Sequence, residues 1–153
     1  MVGIAPPSPK AKWGSLSFAS TLYLHPVLDT LLGHTPTDLR DELRLGLQEA
    51  LVNAAKHGNQ LDPRKTISVQ YIRTGTAYWW VITDQGSGFP FPAQCHLAAD
   101  ANFEAEVEVP TNECGRGLFI LYQIFDEVRW SSGGKEVHLC KQVRRWLPLS
   151  MRR

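Results

Sequence analysis

Glu49-Ala50-Leu51-Val52-Asn53-Ala54-Ala55-Lys56-His57-Gly58 is the stretch on which the reading of this chain turns. Upstream of it, Leu39, Leu43 and Leu47 extend the spacing of Ala50, Leu51 and Ala54 into one apolar stripe, the mark of an amphipathic helix. Thr35-Pro36-Thr37-Asp38 supplies a start: Thr35 as N-cap, Pro36 at the first helical position, Asp38 in the capping-box slot. Gly58-Asn59 supplies the stop, so the helix is expected to run to about His57. Beside the stripe, Glu49, Asn53, Lys56 and His57 stand at i, i+4, i+7 and i+8, one polar face. A carboxylate and a carboxamide one turn apart suit a Mg²⁺ site next to a proton acceptor, since Mg²⁺ takes oxygen ligands and keeps several waters. The same spacing also describes an ordinary solvated helix face.

Outward from this helix the pattern changes period. Lys12 to Thr21 alternates around Trp13, Leu16 and Phe18 as a first strand, and Leu22 to Gly33 suits a short helix with Pro26 near its start. Lys65 to Arg73 and Ala77 to Thr83 read as a hairpin across Gly75, the second strand apolar enough for burial on both faces. Asp84 to Cys114 looks irregular and acidic, and long loops of that kind are usually functional or disordered. Residues 116 to 125 form a short helix after Gly115, and Glu127 to Ser132 pairs with Lys135 to Val143 about Gly133-Gly134. Strands joined by hairpins and interrupted by helices imply an α+β layer, helices on one face of a mostly antiparallel sheet.

Two further constellations follow in order. Asp84-Gln85-Gly86-Ser87-Gly88-Phe89 closes a buried strand. A carboxylate there can accept a hydrogen bond from an exocyclic amine, and the glycines admit a flat ring or a positive φ; a plain turn has the same composition. Gly115-Arg116-Gly117-Leu118 opens a helix, where the dipole favours anions and Arg116 can reach a phosphate. The alternative is a hinge before a packing helix. The spacing matches neither a dinucleotide-binding fingerprint nor a P-loop.

The order of the three constellations is more specific than any one of them. Glu49 to Gly58 resembles the N box of the GHKL ATPase superfamily, Asp84 to Phe89 its first glycine box, and Gly115 to Leu118 its second. The wording Asn53-Ala-Ala-Lys-His57-Gly58-Asn59 and Gly115-Arg116-Gly117-Leu118 is closer still to the small anti-sigma-factor serine/threonine kinases, single-domain relatives of the histidine-kinase ATP-binding domain. The resemblance covers residues 12–143, leaving 1–11 as an expected disordered tail and 144–153 as a basic C-terminal tail.

The resemblance implies a Bergerat fold, a two-layer α+β sandwich, binding ATP and Mg²⁺. By similarity Asn53 holds Mg²⁺, Asp84 bonds the adenine amino group, and Gly86 and Gly88 shape the base pocket. Gly115, Arg116 and Gly117 cradle the phosphates under a lid running from Pro90 to Glu113. Glu49 is the catalytic base for a partner serine. Such proteins phosphorylate a small anti-anti-sigma (STAS-type) protein and sequester a sigma factor, often as homodimers, in a partner-switching system. A non-catalytic ATP-binding or regulator-sequestering module of the same fold is the alternative.

Composition limits the other classes. At 153 residues, with 43 % apolar and 20 % charged side chains, the chain can bury one core without staples. Sixteen basic against 15 acidic residues give a net charge of +1, without the basic excess of a nucleic-acid binder. Cys95, Cys114 and Cys140 form no disulfide framework and no zinc spacing with the histidines, which points to a reducing, cytoplasmic setting. No apolar run approaches the roughly 18 residues of a membrane span, and residues 1–12 lack the pattern of a secretory signal. Trp79 and Trp80 are expected in the core and on the sheet face.

Overall fold

The computed structural model describes residues 4–88 and 113–143. The chain runs β1 (Gly14–Ala19), α1 (His25–Leu32), α2 (Thr37–Val52), a π-helical turn (Asn53–Gly58), β2 (Thr66–Arg73), β3 (Ala77–Thr83), α3 (Glu113–Ile124), β4 (Glu127–Ser131) and β5 (Glu136–Gln142). The strands form one sheet in the order β1-β2-β3-β5-β4, every neighbouring pair antiparallel. The two-layer α+β arrangement expected from the sequence is the one formed. All of the expected lid from Pro90 to Glu113 except its last residue, together with Cys95, the side chain of Cys114 and the C-terminal tail, lies outside the described residues.

Alternation of side chains along each strand sends one set inward. Leu16 and Phe18 of β1 pair with Val69 and Ile67 of β2, and Tyr71 and Val69 of β2 pair with Trp80 and Ile82 of β3. With Val137 and Leu139 of β5 they meet Leu28, Leu32, Leu43, Leu47, Leu51 and Leu121 from the helices in one core. Trp80 stacks on Tyr78 at 5.9 Å between centroids and meets Phe125 edge-on at 5.8 Å. Helices α2 and α3 approach closely at Gly46, where a Cβ would lie 2.7 Å from Phe125 Cε2.

β3 is buried on both faces, as its composition implied. The outward face carries a small second cluster of Ala77, Trp79 and Cys140, against which Ile4, Trp13 and Ile72 pack. Residues 4–11 form no helix or strand, yet the Ile4 N–H donates to Glu127 Oε1 at 3.0 Å and so ties the start of the described chain to β4. Burial, with Glu127 and Asp126 nearby, pushes the Cys140 thiol up to about 12, which makes it an inert apolar side chain.

Two sequence expectations need correction. Thr35 is not the N-cap of α2. Pro36 occupies the cap with an extended ψ of 145°, no side chain bonds the helix end, and the first helical residue is Thr37. Thr35 is instead buried in the α1–α2 joint; its N–H donates to the Leu32 carbonyl and its own carbonyl accepts from Arg40 Nη2, both at 3.0 Å. The second concerns the end of the helix. It reaches Gly58 as expected, but its last stretch winds as a π turn in which the Asn59 N–H donates to the Ala54 carbonyl at 2.8 Å. Single π turns inside helices are associated with functional sites. Lys56 is exposed there, while Asn53 and His57 are half-buried.

Candidate functional site

The π turn places Asn53, Ala54, His57 and Gly58 along one wall of a pocket between the helix layer and the sheet. The floor is Ile82, Asp84 and Val137, the far side Trp130, Gly134 and Lys135, and Leu118 of α3 closes one end. The pocket is partly open to solvent and its lining is mainly apolar. An apolar lining with a few polar groups is the kind that takes a small organic ligand.

Asp84 is the principal polar group on the floor. Only 8 % of it is exposed, and it sits one residue past the end of β3. Burial raises its pKa above the ordinary value of 3.8; the hydrogen bond from the Gly86 N–H to Oδ1, at 2.8 Å, and the charges of Lys135 and Lys65 oppose that rise. The backbone N–H of Asp84 donates to the Lys135 carbonyl at 2.9 Å, fixing the strand end to the β4–β5 turn.

Two glycines make room for this carboxylate. A Cβ on Gly58 would lie 2.3 Å from Asp84 Cγ, and a Cβ on Gly86 would lie 2.0 Å from the Gly58 carbonyl oxygen. Side chains at either position would push the π turn and the strand end apart. Gly88 has φ of +95° and packs against the Gly133 carbonyl, so it shapes the turn beside the pocket and does not line the pocket itself.

Glu49 and Asn53, one turn apart on the helix, are both half-buried and both face α3. A Cβ on Gly117 would lie 3.1 Å from Glu49 Oε2 and 3.5 Å from Asn53 Oδ1. Gly117 is thus what brings the first turns of α3 onto these two side chains. Gly115 and Arg116 stand in the same turns, Arg116 exposed. The helix starts at Glu113, so the glycines lie inside its first turns and do not precede it as expected. Glu49, Asn53, Asp84, Gly86 and Gly117 are therefore brought together, with Gly115 and Arg116 at the rim.

One residue with no expected role belongs to the same assembly. Asn59 carries no site role in the sequence reading; it is fully buried and bonded to the segment that carries Asp84. A Gly-Asn pair at a helix end gives no local signal of such a partner, because Gln85 is 26 residues away.

The donor set passes a test for a purine nucleotide with Mg²⁺. A buried carboxylate in an apolar pocket calls for a hydrogen-bond donor, which a purine amine supplies. Two bare glycines let the carboxylate stand where it does, and the adjoining oxygens of Asn53 and Glu49 are of the hard type that Mg²⁺ takes.

Comparison with known proteins bears on the same residues. Among the described residues no helix is long and apolar enough to cross a membrane. No curated protein matches the chain. The family model for the histidine kinase-like ATPase domain matches residues 26–141, which takes in α1 through nearly all of β5 and every residue of the site. Domains of this kind bind ATP, usually with Mg²⁺. With three quarters of its length under that match and the corresponding sandwich around the pocket, the chain belongs to the histidine kinase-like ATPase domain family.

Proposed function

We propose that the chain is an ATP-dependent serine/threonine protein kinase and anti-sigma factor, phosphorylating an anti-anti-sigma partner and sequestering a sigma factor in a partner-switching system. The observation that carries the catalytic part is the convergence of Glu49 and Asn53 on Gly117, next to a pocket floored by Asp84. The regulatory part rests on the resemblance of Asn53 to Asn59 and of Gly115 to Leu118 to that group of kinases.

In this reading Asp84 accepts a hydrogen bond from the adenine amine, while Gly58 and Gly86 let the carboxylate sit at the pocket floor. Asn53 supplies an oxygen to Mg²⁺. Gly115, Arg116 and Gly117 bind phosphate oxygens at the positive end of α3. Bound ATP–Mg²⁺ supplies the phosphoryl group and the neutralisation of its charge, and what is left for the protein is mainly positioning. Glu49 takes the proton from the serine hydroxyl of the partner as the oxygen–phosphorus bond forms and the bond to the ADP oxygen breaks. Glu49 is half-buried beside the metal ligand, where a carboxylate remains reachable by a partner's hydroxyl.

The test begins with calorimetric titration of ATP with and without Mg²⁺, then transfer of labelled γ-phosphate to a STAS-type partner. Mg²⁺-dependent binding and a phosphoserine or phosphothreonine product are expected. Binding without transfer to any such partner would favour a non-catalytic, regulator-sequestering module, and absence of binding would overturn the nucleotide reading.

A further inference from the structure

Asn59 lies just beyond the π turn and has no part in the roles given above. Its side chain is buried completely and uses both ends. Oδ1 accepts the backbone N–H of Gln85 at 2.8 Å, and Nδ2 donates to the Thr66 carbonyl at 3.0 Å. The Thr66 N–H in turn donates to Gln85 Oε1 at 2.8 Å. The three residues close a ring of bonds between the helix end, the start of β2 and the segment after β3.

The Gln85 peptide N–H stands between Asp84 and Gly86. Three successive N–H groups are held here: that of Asp84 by the Lys135 carbonyl, that of Gln85 by Asn59, that of Gly86 by Asp84 itself. Of the three, only the middle one depends on a side chain from a different element. The Gly86 N–H that holds Asp84 Oδ1 follows directly on the Gln85 peptide, so releasing the Gln85 N–H frees the turn that presents that donor to the carboxylate.

We propose that Asn59 is a positioning residue for base selection, acting through the Gln85 peptide to hold the Asp84 carboxylate where it tells a 6-amino purine from a purine without that amine. The inference rests on the nucleotide reading above. An acceptor aimed at one amine discriminates only as far as its direction is fixed, and a misaligned charged hydrogen bond loses most of its strength.

The experiment compares calorimetric affinities for ATP and for purine riboside triphosphate, which lacks the 6-amino group, in the wild-type chain and in Asn59→Ala. The wild type is expected to prefer ATP by about tenfold or more, the worth of one charge-assisted bond. Asn59→Ala is expected to bind ATP more weakly and the analogue nearly as before, so that the preference falls to about twofold on the same scale. Asn59→Leu, which keeps the buried volume, gives the same comparison if the alanine variant does not fold. Asn59→Asp, which retains an acceptor for Gln85, is expected to keep the preference at a lower Tm. A wild-type preference that survives in Asn59→Ala or Asn59→Leu, with both affinities falling together, would overturn the proposal and leave Asn59 a structural residue. Failure of the wild type to bind ATP overturns the nucleotide reading instead, and this inference with it.

Discussion

The carboxylate of Asp84 occupies the volume that any side chain at residue 58 would need, since a Cβ on Gly58 falls 2.3 Å from Asp84 Cγ. The contact is between the end of a helix and the end of a strand, so neither partner can retreat without moving an element. Gly58→Ala is expected to destabilise the chain by about 1–3 kcal/mol through overpacking. ATP affinity should fall further than stability, because the displaced atom is the one facing the ligand. Denaturant titration and calorimetry on the same variant separate the two effects; unchanged affinity would count against Asp84 as the ligand acceptor.

Asp84 carries a pH signature of known sign. Burial raises its folded-state pKa above the usual 3.8, so the folded chain holds the proton more tightly than the unfolded one. Stability from this group is present in full below the unfolded pKa and is lost as pH rises through the folded one. At neutral pH the buried charge therefore costs stability, and Asp84→Asn, which keeps an oxygen for the Gly86 N–H, should relieve it. We expect a higher Tm at pH 7, the gain shrinking toward zero near pH 3. ATP binding should be lost in the same variant. A Tm that falls at pH 7 would contradict the burial argument.

Glu49 and Asn53 should separate by kinetics. Asn53→Ala is expected to remove the Mg²⁺ dependence of nucleotide binding, while Glu49→Ala keeps binding and loses transfer. Loss of a general base typically costs 10²–10⁴-fold in rate. Normal transfer by Glu49→Ala would dismiss it as the base, and undiminished Mg²⁺-dependent affinity in Asn53→Ala would dismiss the metal ligand.

Gly117 and Gly46 make a contrasting pair on α3 and α2. The neighbour met by a Cβ on Gly117 is the flexible end of Glu49, at 3.1 Å, which can give way. Gly117→Ala should therefore keep or raise stability, by up to about 1 kcal/mol from helix propensity, while transfer slows because Glu49 is displaced. The neighbours of Gly46 are the Phe125 ring at 2.7 Å and Ile124 Cγ2 at 3.0 Å, both packed in the core. Gly46→Ala should cost about 1–3 kcal/mol in spite of better propensity. Urea unfolding of the two variants checks the opposite signs.

Most of the sheet could be read directly from the sequence because its strands obey a period of two, and Trp80, Ile82 and Val137 fall where that period puts them. The candidate residues Glu49, Asn53 and Asp84 stand out in the sequence through the order of their motifs along the chain. What escaped was non-local. Thr35 has the chemistry of a cap, and only the packing of α1 against α2 turns it into a buried joint. Asn59 looks like a helix stop until Gln85 arrives from beyond the end of β3. Trp13 was assigned to a strand without a hint that it and Ile4 would cover Trp79 on the outer face. A single π turn leaves no periodic trace, since one wide turn shifts the pattern too little and too late in the helix to register.

That wide turn behaves as a helix with one residue to spare. A deletion of one position between Asn53 and Gly58 could be absorbed by relaxing to ordinary α winding with the register beyond it kept. Wound as α-helix without a deletion, the same six residues would swing everything beyond them by roughly 100° about the helix axis, the angle of the one residue that the wide turn absorbs. Gly58 would then leave Asp84 and Asn59 would leave Gln85 in one step. The winding of these six residues is therefore as much a part of the site as the identity of any side chain in it.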